Sequence, residues 1–225
     1  MVIMEKRAII IGSTGLTGSF LLDLLLKSDA YHKILATVRN PSTSKNIKLK
    51  YIETDFKKLD QVSAELMADC IFICIGSTMA KSGSKGAFLK VDYDIPVDLA
   101  HIAIKNGVKK CVVISSLGAN ANSGNFYLQT KGKMEQAIEK LGFETTIFLR
   151  PSLLLGARKE MRFGELAGKL LMKFFSPLLI GSLKRYRGIH ANTVAKAMLK
   201  LSLDNLNGVH KIESDQIEAI ASQYS

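Results

Sequence analysis

The seven residues GSTGLTG, Gly12 to Gly18, constrain this chain more than any other stretch. They follow the apolar run RAIII (7–11) and lead directly into LTGSFLLDLLL. The run reads as a buried strand, and the sequel reads as a helix from Leu16 to Lys27. Glycines spaced G-x-x-G-x-x-G between a strand and a helix have a specific physical use. Gly12 permits a tight turn, Gly15 lets the backbone approach a pyrophosphate, and Gly18 lets the helix pack close to the strand. The helix N-terminus then offers N–H groups and a partial positive charge to phosphates. The alternative is a plain strand–helix turn with incidental glycines. The dinucleotide reading makes the whole loop a candidate cradle: Gly12, Ser13, Thr14, Gly15, Leu16, Thr17 and Gly18.

The same alternation continues along the chain. KILATV (33–38), CIFICIG (70–76), CVVISS (111–116) and TTIFL (145–149) are apolar on both faces, and a weaker strand is expected near Ile47–Glu53. Strands of that kind belong to parallel sheets covered by helices on both sides. Helical patterns lie between them: one ends near Asn106-Gly107, and another runs from Phe126 to Leu141, before Gly142. The sequence therefore predicts an α/β fold, a doubly wound parallel sheet of the Rossmann type. One domain over residues 1–225 is expected, with small substrate-side elements, helices on short connectors, mainly within 151–225. No repeat, low-complexity segment or linker interrupts it.

Composition narrows the class. Of 225 residues, 47% are hydrophobic and 23% charged, which is globular rather than disordered. The start MVIMEKRAIII carries no small-residue cleavage site, and no apolar run is long enough for a membrane span. Cys70, Cys74 and Cys111 lie in apolar strand-like runs. They read as buried thiols in a reducing compartment, so a cytoplasmic location is expected. No metal site is expected, because no histidine stands near the cysteines. The net charge of +11 is spread along the chain without a basic block or interleaved aromatics. It argues for a basic surface that serves in part an anionic ligand, with no nucleic-acid partner expected.

The strand ends of such a sheet line the ligand crevice. At the end of the second strand, TVRNPS puts Arg39 where an acidic residue would take the ribose 2′-hydroxyl of NAD. A guanidinium favours the 2′-phosphate of NADP instead. NADP(H) is thus the preferred cofactor and NAD(H) the second choice, with Lys45 a further cation nearby. A surface arginine beside the turn at Asn40-Pro41 is the alternative. Asp55, in ETDF, either accepts from the adenine amino group or caps the next helix. Gly76 would let the backbone approach the cofactor, and Ser77 and Thr78 either donate hydrogen bonds there or form a simple turn.

NFYLQTKGKMEQ, Asn125 to Gln136, places Tyr127 and Lys131 four positions apart. On a helix they share a face. They are either an exposed pair or a proton-handling pair. A free tyrosine titrates near pH 10, so acid–base work at neutral pH needs a shift of about 4 kcal/mol. A cation at i+4, helped by a positive oxidised nicotinamide, is a source of it.

GSTGLTG, Ser115-Ser116, YLQTK and FLRPSLLLG together resemble the atypical branch of the short-chain dehydrogenase/reductase superfamily. CIGSTMAKSGSKGAFLKVDYD, VISSLGAN, NFYLQTKGKMEQ and IHANTVAKAML are similar, more narrowly, to the Tat-interacting-protein-like oxidoreductases. The resemblance implies a hydride-transferring enzyme. Ser116 would hydrogen-bond the substrate carbonyl, Tyr127 would donate the proton, and Lys131 would bind the nicotinamide ribose and stabilise tyrosinate. Ser115 is the alternative serine and a cofactor-binding candidate; its other reading is a side chain pointing into the sheet, since successive strand residues face opposite sides. Arg150 and Pro151 would form the Arg-Pro turn that this superfamily places by the nicotinamide. Thr130 departs from the serine many relatives carry before the lysine. Asp92 is the nearest candidate for the asparagine of their proton relay, and a structural role is its alternative.

The segment Phe163–Gly188 reads as core helix and pocket wall, with a membrane or partner surface as the alternative. Met79–Gly86 reads as a mobile lid or an exposed loop. His190 is read as structural. The expectation is an NADPH-dependent oxidoreductase acting on a carbonyl or similar small molecule, as monomer or homodimer. An NADPH-binding sensor or scaffold protein is the alternative.

Overall fold

The computed structural model describes residues 6–40, 43–54, 56, 66–156 and 181–224. Strand β1 (Lys6–Ile11) is followed by helix α1 (Leu16–Lys27), β2 (Tyr31–Val38), β3 (Leu49–Glu53) and β4 (Cys70–Ile73). Two short helices follow, α2 (Met79–Ser82) and α3 (Lys85–Leu89). A π-turn (Lys90–Asp94) continues α3 into α4 (Ile95–Lys105). Then come β5 (Lys110–Ile114), α5 (Phe126–Glu139) and β6 (Thr145–Arg150). The C-terminal part holds the two-residue strands β7 (Leu154–Leu155) and β8 (Ile189–His190), helix α6 (Ala191–Leu203), β9 (Gly208–Glu213) and α7 (Ser214–Ser222).

Seven strands form one sheet in the order β3-β2-β1-β4-β5-β6-β9. Every pairing in it is parallel. The order reverses between β1 and β4, which opens the crevice expected of a doubly wound sheet.

Alternate residues of each strand serve opposite faces. Ala8 and Ile10 of β1 pack with Leu21 and Leu25 of α1, Val194 and Met198 of α6, and Ile217 of α7. Ile9 and Ile11 face the other side, with Leu99 and Ala103 of α4 and Met134 and Ile138 of α5. Each fully buried Leu, Ile, Val or Met side chain among these contributes roughly 1.5–3 kcal/mol. Two polar side chains of the first layer are paired. Tyr31 Oη donates to Ser202 Oγ at 3.0 Å, and Lys110 Nζ donates to the carbonyls of Ser202 (3.0 Å) and Asp204 (2.6 Å). Lys110 thereby caps the C-terminal end of α6, whose carbonyls lack helical partners.

The structure departs from the sequence expectation beyond Pro151. A strand, β9, extends the sheet there, pairing with β6 from Thr145↔Gly208 to Arg150↔Glu213. As an edge strand it is partly solvated, with Val209 and Lys211 exposed, so it lacks the continuous apolar signature of the inner strands. The expected strand runs 70–76 and 111–116 end at Ile73 and Ile114, where the chain turns into the crevice. The expected lid, 79–86, carries two helical turns, capped by the Thr78 and Ser84 side chains.

Candidate functional site

The glycine loop leaves β1 and presses against the end of β4. Gly12 has φ +82°, a left-handed conformation, and a Cβ there would lie 2.9 Å from the backbone of Cys74 and Ile75. A Cβ on Gly18 would lie 2.1 Å from the Gly12 carbonyl oxygen, so α1 can approach β1 only through a glycine. Gly15 is the N-cap of α1 and donates its N–H to that same oxygen at 2.9 Å. No side chain caps the helix, and its first turn holds no acidic residue. The positive end of α1 therefore faces the crevice uncompensated, as an anion-binding terminus requires. Ser13 and Thr17 are buried, Leu16 is half-buried and Thr14 exposed. Ser13 Oγ donates to the Thr37 carbonyl at 3.5 Å, tying the loop to β2. Gly156, beyond β7, sits over Leu16: a Cβ on it would meet Leu16 Cδ1 at 2.8 Å.

Arg39 and Lys45 are exposed beyond the end of β2. Asp55 lies outside the described residues, as do 157–180, which include most of the expected pocket wall.

The second half of the site is built on α5. Asn125 caps this helix by accepting from Leu128 N–H at 3.2 Å, which fixes where the helix starts. Tyr127 and Lys131 then fall on one face. Tyr127 is half-buried, with its ring 5.6 Å from that of the fully buried Phe88. Lys131 is buried, and its Nζ lies 2.7 Å from Asp92 Oδ1 in the π-turn. Asp92 Oδ2 accepts from the Ser77 N–H at 2.8 Å. A Cβ on Gly76 would stand 3.3 Å from Asp92 Oδ1 and 3.6 Å from Lys131 Nζ. The β4 end, the π-turn and α5 thus converge at one point. Burial pushes the Lys131 ammonium toward losing its proton, but the Asp92 carboxylate and Tyr127 outweigh it, so Lys131 is held above its ordinary value.

Ser77 Oγ accepts from Ser82 Oγ at 2.8 Å, and Thr78 Oγ1 accepts from Lys81 N–H at 3.2 Å as the cap of α2. Ser115 is buried, and among the described residues its Oγ has no hydrogen-bond partner. Ser116 is half-buried and donates to the Leu117 carbonyl at 3.4 Å. The loop that follows is locked to α5, since Asn120 N–H donates to the Leu128 carbonyl at 3.1 Å. A Cβ on Gly132 would lie 2.2 Å from Ala121 N. Leu117 N–H donates to the Pro151 carbonyl at 2.9 Å, so the buried Pro151 anchors the serine loop.

Arg150, at the end of β6, is paired within the protein. Its Nε and Nη2 both donate to the buried carboxylate of Glu135, at 3.0 and 2.5 Å. Glu135 stands four residues after Lys131 on the same helix. His190 is exposed at the N-cap of α6 and makes no side-chain capping bond. Sequence reasoning missed Phe88 and Glu135, although both sit at helical spacing from named candidates: Phe88 four before Asp92, Glu135 four after Lys131. Among the described residues no cluster of histidine, cysteine or acidic side chains is placed to hold a metal ion. None of their helices is long and apolar enough to cross a membrane.

Comparison with known proteins agrees with this fold. The NAD(P)H-binding family matches residues 12–170. The mitochondrial protein FMP52 of Candida albicans is 42% identical over 156 residues, 67% of this chain and 68% of its own length. Protein HTATIP2 of Rattus norvegicus is 34% identical over 199 residues, 87% of this chain and 80% of its own. Among solved structures, MoeE5 in complex with UDP-glucose and NAD superposes with a TM-score of 0.68 at 15% identity, covering 96% of this chain and 81% of that one. The UDP-Glc/GlcNAc 4-epimerase of Campylobacter jejuni gives 0.69 at 15% identity, covering 95% and 82%. These distant structures share the fold. The FMP52 relatives also overturn the cytoplasmic expectation, since they are named as mitochondrial proteins and point to that compartment. Buried thiols do not specify an address. With the glycine cradle, the reversal point of the sheet and these relatives in agreement, the chain belongs to the NAD(P)H-binding family of Rossmann-fold proteins, with HTATIP2 and FMP52 among its relatives.

Proposed function

We propose that this protein is an NADPH-dependent oxidoreductase that reduces a carbonyl, or a similarly reducible group, on a small molecule. The observation that carries the reading is the buried Lys131 ammonium beside Tyr127, held by Asp92 at 2.7 Å at the mouth of a dinucleotide crevice. A structural lysine has little reason to be buried there beside a phenol, because burying an ammonium is costly.

Residues 12–18 would hold the pyrophosphate against the N-terminus of α1. Arg39 would meet the 2′-phosphate, which is the basis for preferring NADP(H) over NAD(H). When bound, the nicotinamide supplies the hydride. Tyr127 Oη donates a proton to the substrate oxygen, so carbonyl, hydride and proton together become an alcohol. Lys131 stabilises the tyrosinate left behind. Ser116 Oγ donates a hydrogen bond to the same substrate oxygen as negative charge develops on it. Ser115, whose buried hydroxyl has no partner among the described residues, is the second candidate for that role.

The test is NADPH oxidation against aldehydes, ketones and quinones, in wild type and Tyr127→Phe. Turnover lost in the variant while NADPH still binds supports the reading. Turnover that survives Tyr127→Phe unchanged would sink the assignment of the proton donor. Tight NADPH binding with no turnover of any class would favour a sensor or scaffold role.

A further inference from the structure

Two helices face each other across the site with matched spacing. Tyr127 and Lys131 are four apart on α5, and Phe88 and Asp92 are four apart on the opposing helix. Phe88 meets Tyr127 ring to ring at 5.6 Å, and Asp92 meets Lys131 at 2.7 Å. Both opposing residues are fully buried. The π-turn Lys90–Asp94 falls inside this spacing and carries the carboxylate. Single π-turns of this kind recur at functional sites. The second carboxylate oxygen accepts from Ser77 N–H, so one side chain joins the β4 loop to α5.

We propose that Asp92 is the positioning residue of the proton-handling pair: it keeps Lys131 charged and fixed beside Gly76, while Phe88 on the same helix fixes the Tyr127 ring. This rests on reading Tyr127 and Lys131 as that pair. A buried ammonium with no counter-ion sheds its proton. The groups that act on Lys131 are Asp92 from the π-turn, and Tyr127 and Glu135 from its own helix. Glu135 is already engaged by Arg150. Asp92 is therefore the carboxylate that sustains the charge. A neutral amine could not stabilise a tyrosinate.

Asp92→Asn keeps the side-chain shape and an oxygen for Ser77 N–H while removing the charge. The Lys131 titration is followed by carbon NMR on lysine labelled at Cε, without cofactor, and assigned with Lys131→Met. Wild-type Lys131 should titrate above the ordinary lysine value of 10.5. In Asp92→Asn it should titrate about one pH unit or more below wild type. NADPH binding is then read from the nicotinamide's own fluorescence, since the chain has no tryptophan. Asp92→Asn should weaken binding about tenfold at alkaline pH, and should change nothing further in a Lys131→Met background.

The proposal is overturned by a wild-type Lys131 that titrates below 10.5, a result that needs no variant to fold. It is equally overturned by an unchanged titration in Asp92→Asn, or by an equal loss of NADPH affinity with and without Lys131. Because the lysine titration uses no cofactor, its failure is separable from failure of the reductase reading, which Tyr127→Phe decides on its own.

Discussion

A Cβ placed on Gly18 would lie 2.1 Å from the carbonyl oxygen of Gly12. No side-chain rearrangement can relieve that overlap, because the obstacle is backbone. Gly18→Ala must push α1 away from β1. It should cost about 3 kcal/mol, at the upper end for an inserted methyl group. For a protein of this size that lowers Tm by roughly 6–12 °C. Thermal unfolding checks the stability, and NADPH titration should show the cradle opened and binding lost.

Arg39 is exposed just beyond β2, so removing it should leave the fold intact. If it meets the 2′-phosphate, Arg39→Ala should weaken NADPH by roughly ten- to a hundredfold, the value of one charge-assisted contact, and leave NADH unchanged. Paired titrations with the two cofactors decide it. Equal affinity of wild type for both would discard the NADP preference.

The Arg150–Glu135 pair joins α5 to the end of β6, with Glu135 2% and Arg150 18% exposed. Glu135→Leu strands a guanidinium in partial burial and should cost about 3–5 kcal/mol. Arg150→Met combined with Glu135→Leu should recover most of that. Chemical denaturation of the two single variants and the double variant measures the coupling. Additive losses would show that the pair does not act as a unit.

Burial pushes the Cys70 thiol from 9.0 up to about 12. An acid whose folded value is raised stabilises the fold below its unfolded value and loses that contribution as pH climbs to the folded one. Reduced wild type should therefore lose stability between about pH 9 and 12 more steeply than Cys70→Ala. Thermal melts across that window test it. In native protein at pH 8, a thiol reagent should reach half-buried Cys74 first, and Cys70 and Cys111 only on unfolding.

The inner sheet and the cradle were legible because each rests on local pattern. The RAIII run, the glycine spacing and the helix after it are adjacent in sequence, and Tyr127 with Lys131 needs only helical periodicity. What escaped depends on contacts across the fold. β9 is polar on its solvent side, so VHKIE carries no buried-strand signature until β6 is beside it. The partner of the Arg150 guanidinium is Glu135, fifteen residues earlier in the chain, and no local pattern joins the two. Asp92 is legible in the sequence as a relay candidate. Its pairing with Lys131 follows from a π-turn, which has no sequence period of its own.

The all-parallel order of the sheet also governs how this protein must be born. Parallel neighbours cannot be joined by a hairpin, so every pairing waits for a crossover. β1 finds β2 early, but its other edge waits for β4, which arrives about as late as the hydrogen bond between Arg7 and Asp69, 62 residues apart. At ordinary translation rates of about 5–20 residues per second, that edge of RAIII stays open for roughly 3–12 s. An apolar parallel strand left bare for seconds is an aggregation hazard. The length of that exposure is set by the strand order itself.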